Sequence, residues 1–335
     1  MTTMITTPEL QTAHVSITTP AGFPAHLYHC LLDEQPHYLV PVRTLHSHAR
    51  ADLIVNPRCW FSWHGPLPPD KVVRVAFTEY FCPSDWVVWV DDPATGIIWP
   101  FWVGYEYIAY LGEMIPGYPL ATTLPEHVEW VLREAGILVE PNHEATRRQR
   151  WLRTVQNTAA QFTRGYATLT ELVHPFHIGA LRRYYRFHTR MGSFPLDEAQ
   201  VDHRYAAYNE AVARFVHYQF APIVSDMAAS IVRPAAAWFL AYQSESEVPR
   251  HTEHELCEYS VSLCVDASPE PQGQNPWPID LQTLDGMLRI WQNIGDGLLY
   301  RGRYLPHSRD KLPRGYSSSS ILLHYADANQ LGALQ

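Results

Sequence analysis

Between Val72 and Val103 the chain is built from short runs of β-branched and aromatic residues. VVRVAFTEYF (72–81) and WVVWV (86–90) read as strands, and the turn DDPATG (91–96) leads into IIWPFWV, which predicts a hairpin. Pro100 cannot donate to a ladder, so the second run is an edge strand or carries a bulge. Over LPEHVEWVLREAG (124–136) the period becomes helical, with Pro125 suited to the first turn and Gly136 to the C-cap. From about 144 to 231 the pattern predicts helices. EATRRQRWLRTVQNTAAQFTRGY and HIGALRRYYRFHTRMG are amphipathic, and YAAYNEAVARFVHYQFAPIVSDMAASIV (205–232) reads as two helices broken at Pro222. Beyond Arg233 strands return: AAWFLAYQ, CEYSVSLCVD, WPIDLQT, GDGLLYRG and SSSSILLHY follow at short intervals, the rhythm of a sandwich or barrel. No internal repeat is present.

Length and charge narrow the classes. The 335 residues suit one large domain or two ordinary ones, and a composition 46% hydrophobic can fill a sizeable core. With 25 Lys and Arg against 34 Asp and Glu the net charge is −9, which argues against a dedicated nucleic-acid binder. No apolar stretch is long enough to span a bilayer, and MTTMITTPEL lacks the basic-then-apolar order of a signal peptide. The five cysteines (Cys30, Cys59, Cys82, Cys257, Cys264) form no CxxC pair, so free thiols and a cytoplasmic location are expected. Histidine is the unusual component, at 18 residues, and it raises the question of metal binding or acid–base chemistry.

One constellation has a spacing that chemistry requires. PRHTEHE (249–255) places His251 two residues before Glu253, which in a strand puts an imidazole and a carboxylate on one face. Some 54 residues past Glu253, GDGLLYRGRYLPHSR brings His307. Two histidines and a carboxylate on one side of a metal leave open positions opposite, as in non-haem Fe(II) oxygenases. His324 is read as a structural histidine, His254 and Glu255 as surface residues, and the remaining histidines as scattered. Trp86, Trp89, Trp99 and Trp102 read as core or as a docking surface.

Over roughly 175–327 the chain resembles the Fe(II)/2-oxoglutarate-dependent oxygenases, in particular the prolyl-4-hydroxylase-like branch. The likeness rests on AWFLAYQSESEVPRHTE, the GD turn and LPHSRDKLPRGYSSSSILLHY. It implies an α+β fold: a C-terminal double-stranded β-helix (jelly roll) packed by helices, with a smaller mixed α/β N-terminal domain. It implies His251, Glu253 and His307 as metal ligands, Glu253 standing where Asp is more usual and where halogenase variants have Gly or Ala. It further implies Fe(II), 2-oxoglutarate and O₂ as cofactor and co-substrates, and hydroxylation of an unactivated C–H bond.

For the distal carboxylate of 2-oxoglutarate the candidates are Arg309 first and Arg314 second, with Arg301 and Arg303 open. Ser317 and Ser319 would add hydroxyls, and Tyr242 matches a co-substrate-binding tyrosine of the family. The expected division is 1–140 as an N-terminal, substrate-recognising domain and 141–335 as the oxygenase domain, with helical support at 144–232 and the jelly roll at 233–327. The substrate expected first is an amino-acid residue in a peptide natural-product precursor, captured by strand addition at the aromatic hairpin. A free amino acid or small metabolite comes next. A non-catalytic metal-binding jelly roll, or an adaptor built on the helices, are the readings from other classes. The oligomeric state is open.

Overall fold

The computed structural model describes residues 52–75, 77, 78, 81, 86–103, 105–198 and 201–328. Cys30, Cys82, His26, His29, His37, His46 and His48 lie outside the described residues. The N-terminal part contains β1 (Ile54–Val55), β2 (Cys59–Phe61), α1 (Pro69–Val72), β3 (Val87–Asp91), β4 (Ile98–Trp102), α2 (Tyr105–Leu111), α3 (Glu126–Glu134) and β5 (Leu138–Val139). β3 and β4 form the expected hairpin, and β4 with Pro100 is the edge of a three-stranded sheet. The strand expected over 72–81 is not formed at its start: α1 is followed by a 3₁₀ turn at Val73–Val75. Pro69 starts the helical turn, and the Pro68 carbonyl accepts from the amides of Lys71 and Val72. These local bonds capture the backbone before any strand partner can.

The aromatic hairpin is buried rather than presented to solvent. Val88, Val90, Ile98, Trp99 and Phe101 are all within the core, and Trp99 stacks on His177 with ring centroids 4.5 Å apart. Trp86 is the exposed member, at 40%. One apolar cluster, including Phe61, Val88, Phe101 and Leu132, belongs to this N-terminal part, whereas Ile97, Ile98 and Trp99 reach into the larger core beyond it.

Next come α4 (Pro141–Phe162), β6 (Tyr166–Leu169), α5 (Pro175–Arg190), β7 (Leu196–Glu198), β8 (Val201–Tyr208) and α6 (Ala211–Ala228). The stretch expected to be helical therefore holds three strands, and Tyr205–Tyr208 is strand, not helix. Nor does Pro222 break α6. Proline removes one backbone donor, but Phe215, Val216, Phe220, Ile223 and Val224 are buried on both sides of it, so packing holds the helix together. Glu210 caps α6, accepting from the amides of Val212 and Ala213 and from the hydroxyls of Tyr184 and Tyr185.

The remaining strands are β9 (Val232–Tyr242), β10 (Val248–His251), β11 (Tyr259–Ser268), β12 (Ile279–Thr283), β13 (Gly286–Ile290), β14 (Gly297–Tyr300), β15 (His307–Arg309) and β16 (Ser317–Asp327). They interleave into a seven-stranded sheet, β6-β14-β11-β16-β9-β8-β7, and a four-stranded one, β10-β15-β12-β13, as in a jelly roll. The pleat divides the work of the larger sheet. Val261, Leu263, Ile321, Leu323 and Phe239 pack on Leu181, Tyr185, Phe215 and Val216 of the helices. Residues one position away, Ser260, Ser262, Ser320 and His324, are just as buried but face the space between the sheets.

Stability accordingly depends on the helix-facing side. Leu323→Ala, at a fully buried position in the middle of β16, is expected to cost about 2–5 kcal/mol. Leu284→Ala, on the fully exposed tip between β12 and β13, should stay within about 0.5 kcal/mol. Chemical denaturation of the two variants checks both values.

Candidate metal and co-substrate site

The antiparallel pairing of β10 with β15 sets His251 directly opposite His307. Their rings lie 4.4 Å apart, centroid to centroid. Glu253 joins them from outside the strand: β10 ends at His251, and Glu253 is held by its own amide, which donates to the Gly302 carbonyl at 2.9 Å. The same-face alternation expected for His251 and Glu253 is thus supplied by a loop tied to the turn before β15. One donor atom from each of His251, Glu253 and His307 lies within 4.8 Å of the others.

Both imidazoles are oriented the same way. His251 Nδ1 donates to the Pro249 carbonyl at 2.7 Å, and His307 Nδ1 to the Leu305 carbonyl at 3.0 Å. Each Nε2 is thereby turned toward Glu253, and it is the nitrogen that would offer its lone pair to a metal once deprotonated, the arrangement that second-sphere carbonyls impose on ligating histidines. His307 Nε2 lies 3.2 Å from Glu253 Oε1, and the Tyr300 hydroxyl reaches the same oxygen at 3.4 Å. Burial alone would raise the Glu253 carboxyl. The bond with His307 and the charges of His324, His307 and His251 outweigh it and hold the group at about 2, so the carboxylate is ionised and ready to ligate. Burial and the nearby Glu253 push the Tyr300 hydroxyl well above its ordinary value, which keeps it a donor.

Three residues around this cluster were not legible as site residues. His324, read as a structural histidine, is satisfied by Ser260, whose hydroxyl its Nδ1 meets at 2.9 Å, and it also borders the triad, its Nε2 lying 3.8 Å from Glu253 Oε2, beyond hydrogen-bond distance. Burial lowers its basicity while Glu253 opposes the shift. Gly302 matters because a Cβ there would fall 2.6 Å from Glu253 Cγ and clash with the Ser260 hydroxyl. Its signal was the glycine inside YRGRY, which no spacing rule singles out. Tyr300 stood in the segment GDGLLYRGRYLPHSR that brings His307, with no role read for it.

Two residues beyond His307, Arg309 lies on the same face of β15, about 6.6 Å deeper into the barrel. It is 8% exposed and donates to the Trp277 carbonyl at 3.0 Å and to Gln292 Oε1 at 3.3 Å, with its guanidinium 4.4 Å from the Trp277 ring. Among the described residues no carboxylate pairs with it, and burial lowers its pKa from the ordinary value. Tyr242 lines the same cavity and packs edge-on against Trp277 at 4.7 Å. The cavity measures about 440 Å³ and contains the triad, Arg309, Tyr300, Ser320 and His324.

The other candidates are not brought there. Arg314 is 87% exposed in its side chain and pairs with Glu245 at 3.2 Å. Ser317 and Ser319 fall on the opposite face of β16 from Ser320, Leu322 and His324, so the serines turned inward are Ser318 and Ser320. Arg301 and Arg303 do not line the cavity, while the exposed His254 stands at its rim. Cys257 and Cys264 are buried free thiols, both pushed up to about 12, chiefly by burial.

The residues fit a divalent metal: two imidazoles oriented by backbone carbonyls, one ionised carboxylate and a polar second sphere. They also fit a dicarboxylate reaching from the triad to Arg309. Gly302→Ala is expected to weaken Co(II) binding by about tenfold or more by displacing Glu253. Gly273→Ala, with nothing near its Cβ position, should leave binding unchanged; calorimetric metal titration measures both.

No family model and no curated protein matches the chain. Solved structures do show likeness over about half of it. A prolyl-4-hydroxylase from Pseudomonas putida is 13% identical, over 52% of this chain and 98% of that one, with a TM-score of 0.42. A prolyl hydroxylase from Trichoplax adhaerens, in complex with a hypoxia inducible factor peptide fragment, is 11% identical over 56% and 96%, at 0.47. HygX from Streptomyces hygroscopicus, with nickel, 2-oxoglutarate and hygromycin B bound, is 10% identical over 52% and 87%, at 0.41.

Proposed function

We propose that the protein is an Fe(II)- and 2-oxoglutarate-dependent oxygenase that hydroxylates an unactivated C–H bond, with His251, Glu253 and His307 as the metal ligands. The observation that carries this reading is the buried guanidinium of Arg309, paired with no carboxylate among the described residues and set one same-face step from His307. A metal-binding protein without turnover has no need of a buried cation there, whereas a five-carbon dicarboxylate spans that separation.

Iron with 2-oxoglutarate and O₂ supplies oxidative decarboxylation of the oxo acid to succinate and CO₂, coupled to insertion of one oxygen atom into a substrate C–H bond. The chain's own residues bind and orient. Carbonyls of Pro249 and Leu305 fix the two imidazoles; Gly302 and His324 position the Glu253 side chain; Arg309, Trp277 and Gln292 form the seat for the distal carboxylate. Tyr242 and Ser320 flank that seat in place of Ser317 and Ser319. Leu240, Leu322, Leu256 and Ile279 complete an apolar wall that limits water.

For the substrate, most side chains of the hairpin are buried and a cavity of about 440 Å³ opens at the triad, which supports the small-molecule alternative over the peptide residue expected first. A separate N-terminal domain ending near residue 140 is part of the same proposal, supported by its own apolar cluster. Among the described residues no helix is long and apolar enough to cross a membrane.

Anaerobic addition of Fe(II) and 2-oxoglutarate is expected to produce a weak visible charge-transfer band. His251→Ala should abolish it, and Arg309→Gln should raise the 2-oxoglutarate concentration it requires by about tenfold or more while metal binding persists. Absence of the band, or its persistence in His251→Ala, refutes the proposal.

A further inference from the structure

On the concave face of the larger sheet, side chains of neighbouring strands stand in rows, and two of these rows run past the triad. The first carries Tyr300 of β14, Ser260 of β11, His324 of β16 and Ala236 of β9. Tyr300 and His324 border Glu253, so Ala236 lies one strand further on, about 4.8 Å away from His324. The second row sets Leu322 of β16, Trp238 of β9 and Tyr208 of β8 side by side. Two backbone features open this end of the face. Tyr325 pairs with Pro234 and His324 with Ala236, which makes Ala235 an extra residue on β9. Pro234 has no amide to give to a ladder, and that suits it to such a bulge. As a result Ala235 and Ala236, adjacent in sequence, both line the cavity. On the other edge β8 stops at Tyr208, because Asn209 turns away with φ 50° and clamps β9. Its amide donates to the Ala237 carbonyl at 2.7 Å, and its Oδ1 accepts from the Ala237 amide at 3.0 Å. Among the described residues no strand covers that edge of β9 beyond the clamp, which leaves a notch floored by two methyl groups.

The notch is apolar, and its wall is aromatic. Trp238 is half-buried, and the Tyr208 ring, 56% exposed, meets it at 4.7 Å and an interplanar angle of 52°. The charged groups of the cavity stand elsewhere. Glu253 belongs to the triad and Arg309 to the co-substrate seat, while Arg204 lies four residues back along β8, where its guanidinium packs on the Tyr242 ring. A charged group placed over the alanines would lose water and gain no partner, whereas a flat ring finds the faces of two others. The cavity of about 440 Å³ is near the lower end of the roughly 300–1,000 Å³ of small-molecule sites, and it also has to seat the co-substrate. We propose that the substrate is a small molecule with a flat, uncharged ring that enters over Ala235 and Ala236 and stacks on Trp238, with Tyr208 closing its outer side. Trp238 and Ala236 are then specificity-determining residues, one by attraction and the other by leaving room. This deepens the oxygenase reading and rests on it.

The test uses the full chain loaded anaerobically with Fe(II) and 2-oxoglutarate. Benzyl alcohol, puckered cyclohexylmethanol, ring-free 1-propanol and anionic benzoate are titrated in turn, read by thermal stability and by perturbation of the visible band. Benzyl alcohol is expected to bind about tenfold or more tighter than 1-propanol, tighter than cyclohexylmethanol, and at least as tightly as benzoate. Trp238→Ala should weaken benzyl alcohol about tenfold, and Ala236→Leu, which fills the notch, should exclude it. Retention of the metal and co-substrate band shows that each variant is folded. If benzyl alcohol does not bind, if cyclohexylmethanol or 1-propanol binds as tightly, if benzoate binds tighter, or if both folded variants keep the wild-type affinity, the proposal is overturned. The wild-type ranking of the four probes decides the matter even where a variant fails to fold. Loss of the band in the wild-type protein instead defeats the oxygenase reading, so the two failures are distinct.

Discussion

The antiparallel register of β10 against β15 is the constraint on which the site depends. It places His251 opposite His307 and Val248 opposite Arg309, so that one short ladder carries both proposed histidine donors and the cation beyond them. A slip of one residue would turn His307 and Arg309 out of the barrel together, because side chains on a strand alternate with period two. Two features pin the register: β12 pairs with the other edge of β15, Leu281 facing His307, and the Glu253 amide is tied to Gly302 just ahead of the strand. Glu253, the proposed third ligand, is therefore positioned by the same turn that delivers the second histidine.

The larger sheet makes that ladder affordable by dividing its faces. On the helix side, fully buried aliphatic and aromatic residues of β9, β11 and β16 supply the hydrophobic stabilisation. On the concave side, Ser260, Ser262, Ser318, Ser320 and His324 are buried and polar, an arrangement that costs stability unless each finds a partner or a ligand. Ser260 is bonded to His324, and the Ser262 carbonyl accepts from Gln292, which in turn holds Arg309. The cavity is thus a connected polar network closed at the triad end by Glu253 and at the other by guanidinium groups.

Much of this was legible where local chemistry is strong. The strands at AAWFLAYQ, CEYSVSLCVD and SSSSILLHY announce themselves by alternation, α3 by its period, and the histidine–glutamate pair with a distant histidine by donor type. What failed did so for identifiable reasons. Tyr205–Tyr208 pairs with Trp238–Ala241, a non-local ladder that a helix-rich neighbourhood conceals. Pro222 ends a helix by local rules, yet core residues on both sides of it outweigh one lost hydrogen bond. Ser317 and Ser319 were placed on the right strand but the wrong face, since the phase of β16 is set by its pairing with β9 and β11. Arg309 and Arg314, five residues apart, differ in fate because one lies inside the ladder and the other in an exposed loop.

By itself the amino-acid sequence determined the types of group available: two histidines, a glutamate, a set of arginines, and strands able to close a barrel. It determined these because donor chemistry and residue periodicity are local properties. Which oxygen of Glu253 meets His307, that Gly302 must lack a side chain, that His324 turns inward, and that Arg204 shares a cavity with Arg309 were decided only in the tertiary structure. Each depends on strand phase and cross-sheet distance between residues far apart in the chain, and no local pattern encodes those.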